Sequence, residues 1–344
     1  MKALVMTSYK SLSYKDVPNP KITKANELLI EIKAAAICGS DVHGYDGSTG
    51  RRIPPVIMGH EASGIVVDKG DEVTSFKKGD RVTFDSTIYC GKCYYCTKGE
   101  VNLCDNRKVL GVSCDEYRQD GTFAEYVVIP DHIAYKIPDD LSFVEAAVTE
   151  PVAVAAHSYR ITPVELNDTL AVVGTGLIGL LLVQILRAST SGVIVAFDTD
   201  ASRRETALKY GADYAFDPSL SDLKEKLNSL IGSRGFDRVF EAVGATNPIK
   251  TALSIVRKGG SVTLIGNVSP TIELPLQQVV TREISLLGSC AIAGEYPIVL
   301  DLMARKKIDV LSLISATRPL DEGQIWFDKL YNKEEALLKV VLEP

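Results

Sequence analysis

The segment TLAVVGTGLIG (169–179) constrains the fold of this 344-residue chain more than any other feature of its sequence. An apolar, β-branched run ends at Gly174, and Gly176 and Gly179 follow it in the pattern G-x-G-x-x-G. The residues that come next, LIGLLLVQILRAST (177–190), have the length and apolar content of a buried helix. Glycines at this spacing permit a tight turn and a close approach of the backbone to a diphosphate. The segment therefore predicts a strand–turn–helix unit whose helix N-terminus binds the pyrophosphate of a dinucleotide.

The strand-like run after this helix, VIVAFD (193–198), ends in a carboxylate. Asp198 lies about 20 residues beyond the glycines, where a carboxylate hydrogen-bonds the hydroxyls of the adenosine ribose and repels a 2′-phosphate. This position favours NAD over NADP, although the neighbouring Arg203 and Arg204 could accommodate the extra phosphate. The alternative is that the glycine segment is a turn that binds no ligand.

Strand-like and helical segments alternate along the chain from about residue 154. Three more apolar runs continue the alternation: DRVFEAVG (237–244), SVTLIG (261–266) and EISLLGS (283–289). Such alternation is typical of an α/β domain built on a doubly wound parallel sheet.

The residues on either side of this region have a different pattern. The first 150 contain short apolar runs separated by Gly, Pro and Asp, which are typical of β structure, and the chain ends in the strand-like KVVLEP. Because 344 residues exceed what one hydrophobic core usually serves, we expect two domains. The predicted boundaries are 154–289 for an inserted nucleotide-binding domain, and 1–153 with 290–344 for a discontinuous β-rich domain.

Four of the seven cysteines crowd into one loop in the pattern C-x2-C-x2-C-x7-C: Cys90, Cys93, Cys96 and Cys104. In a reducing compartment such crowding indicates metal binding more often than disulfide formation. Four thiolates close a tetrahedron around zinc and leave no position for substrate, so the loop predicts a structural zinc site. A metal-free loop and an iron–sulfur cluster are the alternatives, the latter disfavoured because Asp105 rather than proline follows the last cysteine.

Composition excludes several classes of protein. The formal net charge of −6 argues against a dedicated nucleic-acid-binding protein, which would present a basic face. No unbroken apolar run reaches the ~18 residues that indicate a membrane span. The N-terminal segment MKALVMTSYK lacks the longer apolar core of a secretory signal, so we expect a cytoplasmic protein.

Further residues of metal-ligating type are dispersed, and neither composition nor spacing joins them into one site. Together with the patterns above, however, five segments in order resemble the zinc-containing medium-chain dehydrogenase/reductase superfamily: CGSDVH (38–43), GHEASG (59–64), the four-cysteine loop (90–104), EPVAVAAH (150–157) and VVGTGLIG (172–179). The resemblance covers essentially the whole chain and is strongest to the polyol dehydrogenase branch, of the sorbitol and galactitol-1-phosphate dehydrogenase types. It implies a GroES-like, β-rich catalytic domain formed by both chain ends and an inserted Rossmann domain.

The resemblance also implies a second, catalytic zinc. Its ligands would be Cys38, His60 and Glu150, the last at a position where alcohol dehydrogenases of the superfamily have a cysteine. Glu61 would bind the zinc directly, through water, or in exchange with that water. Asp41 matches a residue that orients the histidine ligand.

The activity implied is oxidation of a secondary alcohol of a polyol, sugar alcohol or polyol phosphate to the ketone. It would proceed by zinc–alkoxide formation and hydride transfer to NAD. Ser40 and His43 match the family's proton-relay positions, with a water chain, or a plain surface-loop histidine, as the alternative. An L-threonine 3-dehydrogenase type of reaction is the other enzymatic alternative. A catalytically silent dinucleotide-binding relative is the alternative of another class.

Cofactor contacts and assembly are implied in the same way. Leu177 and Ile178 would lie at the phosphate-binding turn, and Asp198 and Arg203 would flank the adenosine ribose. Ile265 would approach the nicotinamide, with an ordinary strand-end core position as an almost equal alternative. Relatives form homodimers or homotetramers through the last Rossmann strand, near ISLLGS.

Two loops, around 45–52 and 113–117, would decide which substrate is bound. Arg51 and Arg52 lie in the first loop and are interpreted as solvated surface residues, with binding of a substrate phosphate as the alternative. Cys114 and Cys290 belong to no metal motif and are expected to be small buried residues, with Cys290 lining the cofactor cleft as a minor alternative.

Overall fold

The computed structural model describes residues 1–114, 117–334 and 336–344. The chain divides into two compact units: Met1–Ala153 together with Ile292–Pro344, and Val154–Ala291. The inserted unit thus ends at Ala291, where the sequence-based boundary was residue 289. Within the described ranges, no helix combines the length and the apolar character needed to cross a membrane.

Strands are numbered in chain order: β1 (Lys2–Ser8), β2 (Ser11–Asp16), β3 (Glu27–Ala36), β4 (Val56–Ile57), β5 (Glu61–Lys69), β6 (Arg81–Phe84), β7 (Thr87–Ile88), β8 (Lys108–Val109), β9 (Tyr126–Pro130), β10 (Ala134–Lys136), β11 (Leu170–Val173), β12 (Ile194–Phe197), β13 (Tyr214–Phe216), β14 (Phe236–Glu241), β15 (Val256–Leu264), β16 (Ser285–Gly288), β17 (Ile314–Pro319) and β18 (Lys339–Glu343).

Helices are numbered likewise: α1 (Gly39–Gly44), α2 (Tyr94–Thr97), α3 (Phe143–Ala147), α4 (Thr149–Ile161), α5 (Leu177–Ser189), α6 (Ala201–Lys209), α7 (Leu223–Ile231), α8 (Thr246–Ile255), α9 (Leu276–Thr281), α10 (Tyr296–Ala304) and α11 (Gly323–Asn332). Short 3₁₀ turns occur at Val101–Leu103, Asp131–Ile133, Leu311–Leu313 and Leu320–Glu322.

The discontinuous unit is rich in β structure. Its larger sheet has the order β10-β6-β5-β3-β18-β17, with β9 also paired to β3, and a smaller sheet has the order β2-β1-β4. The pairings are antiparallel except for β17 with β18. Buried apolar side chains of these sheets and of α11, among them Leu4, Ile30 and Phe327, form one core. The prediction of a β-rich discontinuous unit is confirmed.

Strand β3 positions much of the candidate site. Its ten residues are largely apolar and alternate between fully and partly buried positions over much of their length, as expected of a strand inside a sheet. Ala36 at its end pairs with Glu61 at the start of β5 on one side and with Val341 of β18 on the other. The residues that follow β3 and those that precede β5 are therefore neighbours in space, although the loop between them is long.

The inserted unit contains a parallel sheet of six strands in the order β13-β12-β11-β14-β15-β16. The first strand, β11, is central, and the chain adds strands on one side and then on the other. Helices α5 to α9 connect successive strands, and apolar side chains such as Phe197, Val239 and Leu253 form the core. This is the doubly wound Rossmann order, in which the change of direction between β11 and β14 leaves a crevice at the carboxyl ends of the strands. The predicted fold class is confirmed.

Candidate metal centres and dinucleotide site

The four-cysteine loop is folded into one cluster. The sulfur atoms of Cys90, Cys93, Cys96 and Cys104 all lie within 4.8 Å of one another. A tetrahedral zinc with Zn–S bonds of about 2.3 Å places its sulfurs roughly 3.8 Å apart, so the set fits such an ion with little adjustment. The donors are four thiols with no carboxylate or imidazole among them, which matches a closed structural site rather than an open catalytic one.

Backbone amides donate to sulfur atoms of this loop, although burial raises the pKa of the Cys96 and Cys104 thiols. The N–H groups of Cys90 and Asn106 each donate to the Cys104 sulfur at 3.3 Å. The N–H of Lys92 is the main cause that lowers the pKa of the Cys90 thiol to about 6. A lowered thiol pKa favours the deprotonated form that binds a metal.

A second cluster joins residues from two loops. The ligand atoms of Cys38, His60 and Glu61 lie within 4.8 Å of one another. Cys38 caps the N-terminus of α1 directly after β3, and Glu61 begins β5, so the pairing of β3 with β5 brings the three together. His60 and Glu61 are buried, while Cys38 is half-buried. One thiol, one imidazole and one carboxylate are donors that zinc accepts.

Asp41 is the residue that faces the histidine. Its Oδ2 lies 3.4 Å from His60 Nδ1, and both atoms are buried without a well-formed hydrogen bond to another described residue. Burial alone would lower the pKa of His60, but the charges of Asp41 and Cys38 outweigh it and raise that pKa well above its ordinary value. An imidazole whose Nδ1 faces a carboxylate leaves Nε2 available to a metal, the arrangement seen in carboxylate–histidine–zinc sites.

Arg52 lies behind Asp41, and here the prediction from sequence was wrong. Its side chain is buried rather than solvated, and it donates to Asp41 Oδ1 from Nε at 3.1 Å and from Nη2 at 2.8 Å. Nη2 also lies 3.2 Å from Ser40 Oγ. Arg51, by contrast, is exposed. Arg52 therefore supplies the positive charge that the buried carboxylate of Asp41 needs.

Ser40 and His43 occupy successive turns of α1 and are exposed. Ser40 Oγ donates to the Cys38 sulfur at 3.3 Å, which places the hydroxyl beside the candidate metal ligands. Residues three apart on a helix lie on the same face, so His43 follows Ser40 toward solvent.

Glu150 lies in the first turn of α4 and is buried. Its Oε1 accepts a hydrogen bond from Ser86 Oγ at 3.2 Å, and it is not one of the three residues whose donor atoms lie within 4.8 Å of one another. Burial raises its pKa to about 7, with the charge of His60 acting in the opposite direction and that of Glu61 adding to the rise. Glu150 is near enough to the cluster to sense its charges but does not join it.

Lys339 belongs to this site, and sequence reasoning did not find it. Its ammonium donates to both carboxylate oxygens of Glu61, at 2.9 and 2.6 Å, and to the carbonyl of Ile37 at 3.0 Å. Both side chains of the ion pair are almost completely buried. A lysine that begins an apolar strand, KVVLEP, is unusual enough to notice in the sequence. The sequence alone does not indicate which acidic residue it pairs with.

The glycine segment has the geometry of a phosphate-binding turn. Gly174 has φ of 91°, and a Cβ on Gly179 would lie 1.9 Å from the Gly174 carbonyl oxygen. A Cβ on Gly176 would meet no described atom within 4 Å, so the turn has open space above it. Leu177 and Ile178 begin α5 there, and no side chain of a described residue caps its N-terminus. The free N–H groups and the helix dipole suit a pyrophosphate.

Asp198 follows β12 and is oriented by this turn. Its Oδ2 accepts hydrogen bonds from the backbone N–H and the hydroxyl of Thr175, at 2.8 and 3.1 Å. Arg203, in the first turn of α6, is exposed, whereas Arg204 donates to the Asp198 carbonyl at 2.8 Å and lies 3.5 Å from Asp217. Ile265 follows β15 and is half-buried.

Two further expectations concern cysteines and a loop. Cys290 is exposed and Cys114 is half-buried, so the expectation of two buried cysteines was wrong. Of the second loop predicted to decide substrate choice, residues 115 and 116 lie outside the described ranges.

The chain is similar to dehydrogenases of known family. Residues 24–139 match the alcohol dehydrogenase GroES-like domain, and residues 178–305 match the zinc-binding dehydrogenase family. The chain is 35% identical to D-arabitol-phosphate dehydrogenase of Enterococcus avium, over 97% of this chain and 94% of that one. It is 35% identical to sorbitol dehydrogenase of Halalkalibacterium halodurans, over 100% and 99%.

A solved structure has the same fold. It is a zinc-binding dehydrogenase from Sinorhizobium meliloti bound to NADP, 32% identical, with a TM-score of 0.89 over 100% of this chain and 99% of that one. With identity above 30% over the full length of two curated dehydrogenases, the chain is an oxidoreductase and belongs to the polyol dehydrogenase branch of the zinc-containing medium-chain dehydrogenase/reductase family.

Proposed function

We propose that this enzyme oxidises a secondary alcohol of a polyol, sugar alcohol or polyol phosphate to the ketone, with NAD as the hydride acceptor. The observation that carries the proposal is the buried cluster of Cys38, His60 and Glu61, with Asp41 facing the histidine. The names of the two curated relatives support the substrate class, since one acts on a polyol phosphate and the other on a polyol.

The residues proposed to hold the catalytic zinc are Cys38, His60 and Glu150, with Glu61 as a residue that can enter the coordination sphere. Bound there, zinc would lower the pKa of the substrate alcohol toward neutrality. For Glu150 to bind zinc, its carboxylate must turn from Ser86 toward the cluster. Because the pKa of Glu150 is about 7, the carboxyl group is mostly protonated at lower pH, and zinc binding there must release that proton.

Ser40 is proposed to relay the proton of the substrate alcohol: its oxygen takes up that proton as the hydroxyl gives its own proton to His43 or to water. Its hydroxyl lies beside Cys38 and receives a hydrogen bond from Arg52, which keeps the oxygen oriented. His43, one turn further along α1 and exposed, is proposed to pass the proton to solvent. A water chain from Ser40 remains the alternative route.

The inserted unit Val154–Ala291 is proposed as the NAD-binding domain. The turn at Gly174, Gly176 and Gly179 supports binding of the pyrophosphate, with Leu177 and Ile178 beside it. Ile265 is proposed to approach the nicotinamide.

We propose NAD rather than NADP as the cofactor because of Asp198. Arg204 supports this choice, since its guanidinium already binds the Asp198 carbonyl and pairs with Asp217. Exposed Arg203 flanks the same ribose position and acts against the preference. The similar Sinorhizobium meliloti enzyme binds NADP, so the preference of this enzyme between NAD and NADP should be measured directly.

Cys90, Cys93, Cys96 and Cys104 are proposed to hold a structural zinc. The enzyme is further proposed to form a homodimer or homotetramer through β16, an edge strand of the parallel sheet, with Leu276 and Val280 exposed on the neighbouring α9. A cytoplasmic location stays a prediction from the sequence.

The test is NADH production at saturating NAD across polyols offered free and phosphorylated, with L-threonine included. Turnover of polyols of either kind, lost on Cys38→Ser, supports the proposal. Turnover of L-threonine alone would replace the substrate class, and zinc-loaded protein that turns over none of these would favour a silent relative.

A further inference from the structure

The inserted unit contains a buried carboxyl group, that of Glu241, which has no part in the chemistry proposed above. Glu241 is the last residue of β14 and is completely buried. Burial raises its pKa, the N–H groups of Gly244 and Val243 act in the opposite direction, and no charged group of a described residue contributes. A buried carboxyl group without a counter-charge must satisfy its oxygens with hydrogen bonds.

Those hydrogen bonds come from the turn that follows the strand, residues 242–244. Glu241 Oε1 accepts the N–H of Val243 at 2.8 Å and that of Gly244 at 2.9 Å, and Oε2 lies 3.0 Å from the same Gly244 nitrogen. Gly244 has φ of 79°, a conformation that favours glycine. The side chain that ends the strand therefore fixes the conformation of turn 242–244.

Turn 242–244 lies where the sheet changes direction. Glu241 pairs with Val173 of β11 on one side and with Leu264 of β15 on the other. Strands β11 and β14 are the neighbours from which the chain adds strands in opposite directions, and dinucleotides bind in the crevice outside the carboxyl ends of such strands. The turn therefore borders the crevice in which the cofactor is expected.

The turn also contacts the segments on both of its sides. A Cβ on Gly174 would lie 2.4 Å from Val243 Cγ2, so the valine side chain packs directly on the glycine turn at 174–179. On the other side, a Cβ on Gly266 would lie 2.1 Å from the Gly244 nitrogen. The N–H of Gly266 donates to the backbone carbonyl of Glu241 at 3.1 Å. A displacement of turn 242–244 would therefore disturb the glycine turn and the segment that follows β15.

We propose that Glu241 is a positioning residue for the dinucleotide: it holds turn 242–244 in the conformation that keeps the crevice open beside the glycine turn. The inference rests on the proposed function of the inserted unit as the NAD-binding domain. A turn that is held before the cofactor arrives does not lose conformational entropy when the cofactor binds. Without these hydrogen bonds the turn populates other conformations, and only the fraction in the open one binds the cofactor.

The test separates the reach of the side chain from its charge. Glu241→Asp keeps the carboxyl group but withdraws it by one methylene group, so that it no longer reaches the Gly244 N–H. Glu241→Gln removes the ionisable group but keeps an acceptor oxygen at the same reach. We expect the Kd for NADH, or for NADPH where wild type prefers it, to rise about tenfold in Glu241→Asp and to stay within about threefold in Glu241→Gln.

Steady-state kinetics distinguish positioning from a merely structural role. In Glu241→Asp the KM for NAD should rise together with the Kd, while kcat and the zinc content stay near wild type. A merely structural role would lower the stability of the variant without changing the affinity of the folded protein. Glu273→Asp is the matched control in the same unit: its side chain is 81% exposed and pairs with Lys250 at 2.7 Å, and its Kd should equal that of wild type.

A second measurement uses wild type alone and does not depend on the folding of a variant. Hydrogen exchange at the backbone N–H groups of Val243 and Gly244 should already be slow without cofactor, because Glu241 holds both groups. Fast exchange in the free enzyme that becomes slow only with NADH would overturn the proposal.

The outcomes keep the two proposals apart. Wild type that binds neither NADH nor NADPH overturns the proposed dinucleotide site and, with it, the role of Glu241. Wild type that binds the cofactor overturns the role of Glu241 alone if Glu241→Asp has an unchanged Kd. An equal loss of affinity in Glu241→Asp and Glu241→Gln has the same consequence, because charge and not reach would then matter.

Discussion

The guanidinium of Arg52 donates two hydrogen bonds to a single carboxylate oxygen of Asp41, from Nε at 3.1 Å and from Nη2 at 2.8 Å. The other oxygen of Asp41 is thereby left facing His60. Burial alone would raise the pKa of Asp41, but the charges of His60 and Arg52 lower it well below its ordinary value. The orientation of a candidate zinc ligand therefore depends on an arginine that contacts no proposed ligand.

Replacement of Arg52 by methionine should destabilise the protein strongly, because Asp41 stays buried without its counter-charge. We expect the free energy of unfolding in urea to fall by about 3 kcal/mol. Arg51→Met is the matched control, since Arg51 is exposed, and its effect should stay within about 0.5 kcal/mol. Equal, small effects of the two substitutions would contradict the buried role of Arg52.

Loss of one cysteine from the four-cysteine cluster should reduce zinc content and stability together. For Cys104→Ser we expect zinc to fall from two to one per chain and the free energy of unfolding to fall by more than about 2 kcal/mol. Cys114→Ser, outside the cluster, should retain both zincs. Metal analysis combined with denaturant unfolding checks this, and retention of two zincs in Cys104→Ser would refute the four-thiolate site.

Replacement of Asp198 should change the preference between the two dinucleotides. Asp198→Asn retains an acceptor for the Thr175 N–H but removes the charge proposed to repel a 2′-phosphate. We expect the ratio of kcat/KM for NADP to that for NAD to rise about tenfold, a change of roughly 1.4 kcal/mol. Asp200→Asn, at the N-cap of α6, should leave the ratio near wild type.

Asp85 should make stability depend on pH. Burial raises its pKa to about 8, with the N–H of Thr87 opposing the rise and the charges of Glu150 and Glu295 adding to it. The unfolded chain loses this proton near pH 3.8, so between these values the folded state binds the extra proton. The free energy of unfolding should therefore fall as pH rises from about 4 to 8, by up to about 1.4 kcal/mol per unit.

Asp85→Asn should remove this contribution while it keeps an acceptor for the Thr87 N–H. Urea unfolding at pH 5 and at pH 8 should show a smaller loss of stability in this variant than in wild type. Asp80→Asn is the control, because the pKa of Asp80 is lowered and its contribution does not change over this range. An identical pH dependence in wild type and Asp85→Asn would rule the effect out.

Local patterns predict much of the fold. The run TLAVVG became β11 and the following segment became α5, because an apolar strand, three glycines and an apolar helix favour one local geometry. The four cysteines are close in sequence, so a single loop brings them together. By contrast, the resemblance to the family implied that Glu150 is a zinc ligand, but its carboxylate lies outside the cluster of Cys38, His60 and Glu61. It accepts a hydrogen bond from Ser86 instead.

The sequence by itself determined the fold class, the cysteine cluster and the glycine turn at 174–179, because each depends on residues that are neighbours along the chain. Only the tertiary structure decided that Arg52 is buried against Asp41 and that Lys339 is paired with Glu61. Glu61 and Lys339 are 278 residues apart. Their charges meet because β3 pairs with β5 on one side and β18 on the other, and a buried carboxylate is stable only where such pairing supplies a cation.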